Sequence, residues 1–265
     1  MLVGERGIEI LAEANVLVVG LGGVGGYAAE MLARAGVGSM TLVDADTVSQ
    51  TNINRQLIAL HSTVERDKVE LIAERLRDIN PDIRLEPVKE FLAGERMDEI
   101  VSGGGFDYIV DAIDTLTPKI ELIEAALRHK VPLVSSMGAG SKVDPTRIEV
   151  SDISASHHCP LAHMLRKRLH KVGIRTGFKV VFSAEQPIPG TMFLCNEQNK
   201  KSNVGTISYL PPVFGCTCAS VCLRDLLEGG LGTSPLDGLS EARGRAGRTL
   251  LLTEIPKNGK TVNFL

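Results

Sequence analysis

The first 140 residues alternate short apolar runs with segments whose apolar positions have helical spacing. Three runs, 16–19, 40–43 and 108–114, are apolar enough for buried strands, and 84–88 and 131–135 predict two more. The remaining segments predict helices at 27–35, 65–79, 97–102 and 118–129, after an amphipathic lead-in over 1–13. Because strands that alternate with helices pair in parallel, this pattern predicts a doubly wound, mainly parallel α/β sheet.

The pattern changes after Ser141. We predict strands at 147–153 and 178–183, a basic helix at 159–171, a polar loop at 185–202 and a helix at 212–227. The apolar stretch 204–223 contains Pro211-Pro212 and scattered hydroxyl residues, so we interpret it as a buried loop-to-helix segment rather than a membrane span. One domain is therefore expected over 1–228. The tail, 229–265, offers a single strand at 249–252 and is expected to be partly disordered.

A glycine turn joins the first predicted strand to the first internal helix. Its glycines are Gly20, Gly22, Gly23 and Gly25. Glycine lets a phosphate approach the backbone closely, and the N–H groups that open a helix favour an anion. Asp44, at the end of the next strand, suits a ribose hydroxyl. The segment from about 14 to 140 thus predicts a Rossmann-like nucleotide-binding half, which by itself fits NAD, FAD or ATP.

The residues that follow Asp44 favour ATP. Segment 44–56 places two acids, amides and an arginine beside the nucleotide, and Lys68 opens the next helix. Hydride transfer needs neither that arginine nor a metal, whereas adenylate formation needs cations and metal-held phosphates. Asp114 ends a buried strand, and Mg²⁺ favours one or two carboxylates with phosphate oxygens. The predicted ATP site comprises Gly20, Gly22, Gly23, Gly25, Asp44, Asp46, Thr51, Asn52, Asn54, Arg55, Lys68, Asp114 and Thr115, with Arg55, Lys68 and Asp114 catalytic and Asp114 the magnesium ligand.

These motifs resemble those of the adenylating enzymes related to the ubiquitin-activating enzyme, such as MoeB and ThiF. The resemblance rests on Gly22-Gly23, on the Asp44-x-Asp46 pair and on Asn52-x-Asn54-Arg55-Gln56, and it covers roughly 4–227. Relatives place an arginine ahead of the first helix, whereas Arg6 lies within the predicted lead-in helix. The second half of the chain, about 141–228, resembles the branch of tRNA threonylcarbamoyladenosine dehydratases, in which it would face the substrate.

This resemblance implies an ATP-dependent cyclising dehydration of tRNA threonylcarbamoyladenosine through an acyl-adenylate, with release of AMP and pyrophosphate. It also implies a homodimer and leaves a cysteine desulfurase or sulfur acceptor open as a partner. One alternative is a sulfur-carrier adenylyltransferase that acts on a C-terminal Gly-Gly carboxylate. Two others are an NAD-dependent oxidoreductase and a binding-only relative.

The charge of the chain limits how it could contact tRNA. A net charge of −3 gives no global attraction to nucleic acid, so a contact needs a local patch. The densest basic run supplies Arg166, Lys167, Arg168 and Lys171, for which the alternative is an ordinary solvated helix face.

The five cysteines argue against two kinds of site. They show no disulfide framework, so we expect a cytoplasmic location. Cys216, Cys218 and Cys222 lack the paired Cys-x-x-Cys spacing of structural zinc, and no zinc is predicted. Cys159 follows two histidines and could act as a nucleophile, but we expect it to be a small apolar filler at a helix start.

Overall fold

A computed structural model describes residues 2–197 and 200–231, and it centres on a seven-stranded sheet. The strands are β1 (Asn15–Val19), β2 (Ser39–Val43), β3 (Arg84–Val88), β4 (Tyr108–Asp111), β5 (Leu133–Ser136), β6 (Ile148–Asp152) and β7 (Lys179–Ser183). Their order is β3-β2-β1-β4-β5-β7-β6, and all neighbours pair in parallel except β6 with β7. The predicted doubly wound, mainly parallel sheet is confirmed. The order reverses between β1 and β4, where ligands of such sheets bind.

Helices cover both faces of the sheet. They are α1 (Gly4–Glu13), α2 (Gly25–Arg34), α3 (Lys68–Ile79), α4 (Glu95–Gly103), α5 (Leu116–His129), α6 (Pro160–Leu169) and α7 (Leu210–Leu231). Alternate residues of β1 enter different cores: Val16 and Val18 pack with α2, α3 and α7, whereas Leu17 and Val19 pack with α4, α5 and α6. This two-residue period explains why the strand is apolar throughout, because neither of its faces meets water.

Helix α7 is a core helix that also has the length and apolar composition of a membrane span. Within the described residues it alone passes that test, over Leu210–Gly229, and half of this stretch is buried in the fold. It packs against α2, β4 and β5. The sequence suggested that Pro211 and Pro212 interrupt the apolar stretch. They lie instead in the first turn of α7, where the backbone N–H groups have no intrahelical partner and proline is tolerated.

Three features of the fold differ from the sequence prediction. Strand β4 ends at Asp111 rather than Asp114, so Asp114 lies in a loop. The segment predicted as a polar loop, 185–202, contains most of a hairpin of β8 (Met192–Glu197) and β9 (Lys200–Val204), because an apolar run at 192–195 outweighs the polar residues around it. Helix α7 runs past the expected domain end at 228, and the predicted strand at 249–252 lies outside the described residues.

Candidate active site

The glycine turn between β1 and α2 is too tight for side chains. Gly20 has a φ of +88°, and a Cβ there would lie 2.8 Å from the carbonyl oxygen of Ala112 in the loop after β4. A Cβ on Gly25 would lie 1.7 Å from the carbonyl oxygen of Gly20. Among the described residues, no side chain caps the N-terminus of α2. The turn therefore presents bare backbone N–H groups, as phosphate binding requires.

The second pair of glycines makes room for other elements. A Cβ on Gly23 would lie 3.0 Å from Cβ of Pro211 in α7 and 3.3 Å from Cγ of Arg55. A Cβ on Gly22 would lie 3.4 Å from Nε2 of Gln56. Gln56 is a buried residue, with an exposed fraction of 8%. In the described part of the chain, Oε1 of Gln56 has no hydrogen-bond partner. The double glycine thus lets the Arg55-Gln56 segment pack directly on the turn.

Asp44 follows β2 and connects that strand to the glycine turn. Its Oδ2 accepts a hydrogen bond from the N–H of Leu21 at 2.6 Å, and its Oδ1 accepts one from the N–H of Asp46 at 2.8 Å. Burial raises the pKa of Asp44, although Lys68 and these two N–H groups partly oppose that shift. A carboxylate has about four acceptor positions, so Asp44 retains capacity for a ribose hydroxyl.

Lys68 opens α3 and is buried between the two predicted acids. Its Nζ lies 2.7 Å from Oδ2 of Asp46 and 4.0 Å from Oδ1 of Asp44, and only 5% of its side chain is exposed. The sequence predicted a cation directed at phosphate, whereas the structure engages this cation with carboxylates. The Asp46 side chain is 70% exposed, so the pair remains open to a ligand on that side.

Arg55 packs against Gly23 of the glycine turn. Its Nη1 donates to the carbonyl oxygen of Thr51 at 2.9 Å and to Oδ1 of Asn54 at 2.8 Å. Burial lowers the pKa of Arg55, and the nearby Asp114 carboxylate opposes that shift. A guanidinium stays protonated despite such a change. Asn54 also donates to the carbonyl oxygen of Thr206 at 3.1 Å, which connects the site to the loop before α7.

Asn52 and Thr51 have local roles in this structure. The Oδ1 of Asn52 accepts from the N–H of Ser49 at 3.1 Å, and the hydroxyls of Thr51 and Ser49 lie 2.8 Å apart. These contacts shape the short 3-10 turn Gln50–Asn52 that precedes Arg55. In this structure the side-chain oxygen of Asn52 therefore helps to form a turn.

Asp114 lies in the loop between β4 and α5, followed by Thr115 at the N-cap of α5. It is exposed, and its carboxylate is close enough to influence Arg55, which packs against Gly23 of the glycine turn. Within the described residues, no group of three or more His, Cys, Asp or Glu could hold a metal. One exposed carboxylate beside the predicted phosphate site nevertheless fits Mg²⁺, which takes most of its ligands from phosphate and water.

A buried ion pair that sequence reasoning missed holds this loop. Nζ of Lys119 lies 2.9 Å from Oδ2 of Asp111 and donates to the carbonyl oxygen of Ile113 at 2.9 Å. Asp111 also accepts from the N–H of Ile113 at 3.0 Å and from the hydroxyl of Ser135 at 2.6 Å. Both backbone groups of Ile113 are thus fixed, one residue before Asp114. Lys119 lies on the buried stripe of α5 with Leu122, Ile123 and Ala126. This helical spacing is the feature of the sequence that indicates its burial.

The basic helix places its cations differently. Arg166 donates to the carbonyl oxygen of Ser156 at 2.7 Å, so it is committed to the fold, whereas Lys167, Arg168 and Lys171 are exposed. Cys159 is the N-cap of α6, and its exposed fraction is 4%, as expected for an apolar filler. Three of the four predicted basic residues are therefore exposed at the surface, where a nucleic acid could contact them.

Comparison with known proteins gives a consistent result. The ThiF family matches residues 1–244. The tRNA threonylcarbamoyladenosine dehydratase of Bacillus subtilis (strain 168) is 47% identical over 188 residues, which are 71% of this chain and 74% of that protein.

Two solved structures are similar in fold. They show the Escherichia coli tRNA N6-threonylcarbamoyladenosine dehydratase in complex with AMP and with ATP. The AMP complex has a TM-score of 0.79 and 36% identity and covers 86% of this chain and 92% of that chain. The ATP complex has a TM-score of 0.75 and 34% identity and covers 92% of this chain and 93% of that chain.

Proposed function

Because this chain belongs to the ThiF family, we propose that it is an ATP-dependent dehydratase that cyclises the threonylcarbamoyl group of a tRNA adenosine. The similar proteins support this substrate, since they are named tRNA threonylcarbamoyladenosine dehydratases. The observation that carries the proposal is the meeting of Arg55, Asp44 and the loop of Asp114 around an uncapped glycine turn. This arrangement suits ATP whose α-phosphate is to be attacked.

The reaction has two steps. A carboxylate oxygen of the substrate attacks the α-phosphorus, the bond to the β-phosphate oxygen breaks, and pyrophosphate leaves. A nucleophile within the same side chain then attacks the acyl carbon and loses its proton. The acyl–oxygen bond to AMP breaks, and a ring forms with the net loss of one water. Neither step needs a protein nucleophile, in keeping with the burial of Cys159.

The roles of the residues follow from positioning and charge. The N–H groups of the turn hold phosphate oxygens, Asp44 accepts a ribose hydroxyl, and Arg55 neutralises the charge that develops as pyrophosphate leaves. Asp114 would hold Mg²⁺, which when bound supplies further positive charge to the phosphates. Lys68 holds Asp44 and Asp46 in place through its ion pairs with them, and its charge adds positive potential near the predicted nucleotide site.

The wider proposal concerns location and partners. Lys167, Arg168 and Lys171 would contact the tRNA backbone, since backbone phosphates attract exposed cations. A homodimer and a cytoplasmic location complete it, and a sulfur-acceptor partner remains a prediction. We treat 1–228 as one domain that contains both the nucleotide-binding and the substrate-facing parts.

The test measures AMP release from ATP and Mg²⁺. The two substrates compared are tRNA from cells that lack this gene and a carrier protein ending in Gly-Gly. We expect AMP only with the tRNA, and a loss of about a hundredfold or more in Arg55→Ala and Asp114→Ala. Arg96→Ala removes an exposed arginine that is paired with Glu90, and should behave as the parent chain. Release only with the carrier would replace this proposal by the sulfur-carrier alternative.

A further inference from the structure

Two exposed histidines lie side by side at the end of β7, and the proposed reaction does not use them. His157 and His158 precede α6, and their ring centroids are 4.8 Å apart at an interplanar angle of 78°. The ring of His157 also packs edge-on against Phe182, a fully buried residue of β7, at 5.0 Å. Phe182 therefore supports the ring of His157, and both histidine residues remain exposed.

The backbone of His158 is held in a costly conformation. Its φ is +50°, in the left-handed region that a residue other than glycine occupies only when its surroundings impose it. Nζ of Lys142 donates to the carbonyl oxygen of His158 at 3.0 Å and to that of Ser183 at 2.5 Å. Lys142 is itself buried, and burial lowers its pKa. A strained residue whose carbonyl oxygen is held by a buried ammonium is typical of a place where backbone geometry matters for function.

Two more contacts fix the segment. Nδ1 of His158 lies 2.9 Å from the carbonyl oxygen of Ala184. A carbonyl only accepts, so Nδ1 is assigned the proton, and in the neutral ring Nε2 is left as an acceptor. Arg166 donates to both the carbonyl and the hydroxyl oxygen of Ser156. The two imidazoles are thus presented by a segment that is anchored from β7, from α6 and from the loop that carries Lys142.

The position of the pair connects the two halves of the site. Cys159, the next residue, packs against Gly138 in the loop after β5, and β5 is the neighbour of β4, whose loop carries Asp114. On the other side, α6 continues with the exposed Lys167 and Arg168. Nδ1 of His158 contacts the residue that directly follows β7, and β7 is parallel to β5, so the histidine pair lies at the same carboxyl edge of the sheet as the loop of Asp114, directly before the basic helix.

We propose that His157 and His158 bind an unpaired nucleobase of the tRNA substrate. His157 would stack on the base, and Nε2 of His158 would accept a hydrogen bond from its edge. Proteins recognise unpaired RNA bases in this way, by stacking on aromatic rings that include histidine and by hydrogen bonds to base edges. This inference rests on the proposed function for the identity of its ligand, because it requires that the chain binds tRNA.

The experiment measures the dissociation constant of tRNA from cells lacking this gene, without ATP, by fluorescence anisotropy. The double variant His157→Ala/His158→Ala should weaken binding about tenfold or more, because stacking on a base contributes that much. His157→Phe, which keeps an aromatic ring, should stay near the parent value, whereas His157→Ala should not. His158→Gly accepts the left-handed backbone without the ring and should also weaken binding. His129→Ala, at the far end of α5, is the matched control and should change nothing.

The outcomes separate this inference from the proposed function. If tRNA supports AMP formation and the double variant binds tRNA as the parent does, the histidine site is wrong and the proposed function stands. If the parent chain binds tRNA and the double variant does not, but no AMP forms, the histidine site stands and the dehydratase proposal is wrong. Failure of the parent chain to bind tRNA would overturn both. ATP affinity and thermal unfolding of each variant identify any loss that comes from misfolding.

Discussion

Lys119 and Asp111 form an ion pair of 2.9 Å in which neither side chain has any exposed surface. Such a pair adds little stability compared with apolar residues of the same size, but breaking it leaves an uncompensated buried charge. Here the pair also fixes both backbone groups of Ile113, and so the start of the loop that carries Asp114. Its function is therefore the orientation of a site loop as much as stability.

We expect Lys119→Met to lower the free energy of unfolding by about 3–5 kcal/mol, because Asp111 is then buried without a counter-ion. Urea denaturation measures this change. The double variant Asp111→Asn/Lys119→Met should recover part of the loss, since it removes the charge that was left alone. Lys89→Met breaks a half-exposed pair with Asp67 and should cost under about 1 kcal/mol. Equal stability of Lys119→Met and the parent chain would disprove this account.

Gly23 separates α7 from Arg55, and this predicts the effect of one methyl group. In Gly23→Ala the new Cβ would press on Pro211 at 3.0 Å and on Arg55 at 3.3 Å. Because overpacking displaces one of these neighbours, we expect a loss of about 1–3 kcal/mol in stability and weaker ATP binding. Calorimetric titration with ATP measures the second effect. Gly103→Ala is the control, because among the described residues no atom beyond its own helix and chain neighbours lies within 4 Å of the added Cβ. A Gly23→Ala variant that matches it would refute the prediction.

Lys68 should control how ATP binding depends on pH. Burial raises the pKa of Asp44, and Lys68 opposes this, so Lys68→Met should raise that pKa further. If ribose binding uses ionised Asp44, ATP binding is lost as pH falls through this pKa. The loss should therefore begin at a higher pH in Lys68→Met, in addition to any weakening at every pH.

Titrations of ATP affinity between about pH 4.5 and 8 measure this shift, which follows from the linkage of binding to ionisation. Lys179→Met removes a lysine from an ion pair with Asp225 elsewhere in the fold, and its pH profile should parallel that of the parent chain. A parallel profile for Lys68→Met as well would show that Asp44 does not act in its ionised form.

Asp152 makes stability depend on pH in the acid range. Burial raises the pKa of Asp152, but the hydrogen bonds that it accepts from Ser154 and Gly177 outweigh the effect of burial and lower this pKa from 3.8 to about 2. A lowered carboxyl pKa contributes stability that is full above the unfolded value and disappears as pH falls toward the folded value.

Asp152→Asn keeps the capping geometry without the charge. It should be about 1 kcal/mol less stable at pH 6, after allowance for solvent screening, and this gap should close between about pH 4 and 2. Urea denaturation over that range measures it. Asp144→Asn, at a similar cap on the exposed surface, serves as a comparison with a smaller expected gap. A gap that persists at pH 2 would contradict an ionic origin.

The sequence by itself determined the sheet, the glycine turn and the acid at the tip of β2. These features depend on short-range rules: the two-residue period of a strand, the spacing of a helix, and the freedom of glycine. The positions of Gly20 and Gly25 in the turn, and of Asp44 at the end of β2, could therefore be predicted from the amino-acid sequence alone. The antiparallel β6 and the hairpin of β8 and β9 were beyond those rules, because strand direction and pairing depend on partners distant in sequence.

Only the tertiary structure decided which polar groups are partnered. Lys68 had the sequence features of a free phosphate cation and is paired with Asp46, and Arg166 had those of a surface cation and holds Ser156. Lys119 showed only as a charge on an apolar stripe, and its partner Asp111 lies on a different element. Periodicity indicates which face of an element is buried. It cannot indicate which distant group neutralises a charge there, because that depends on how the elements pack.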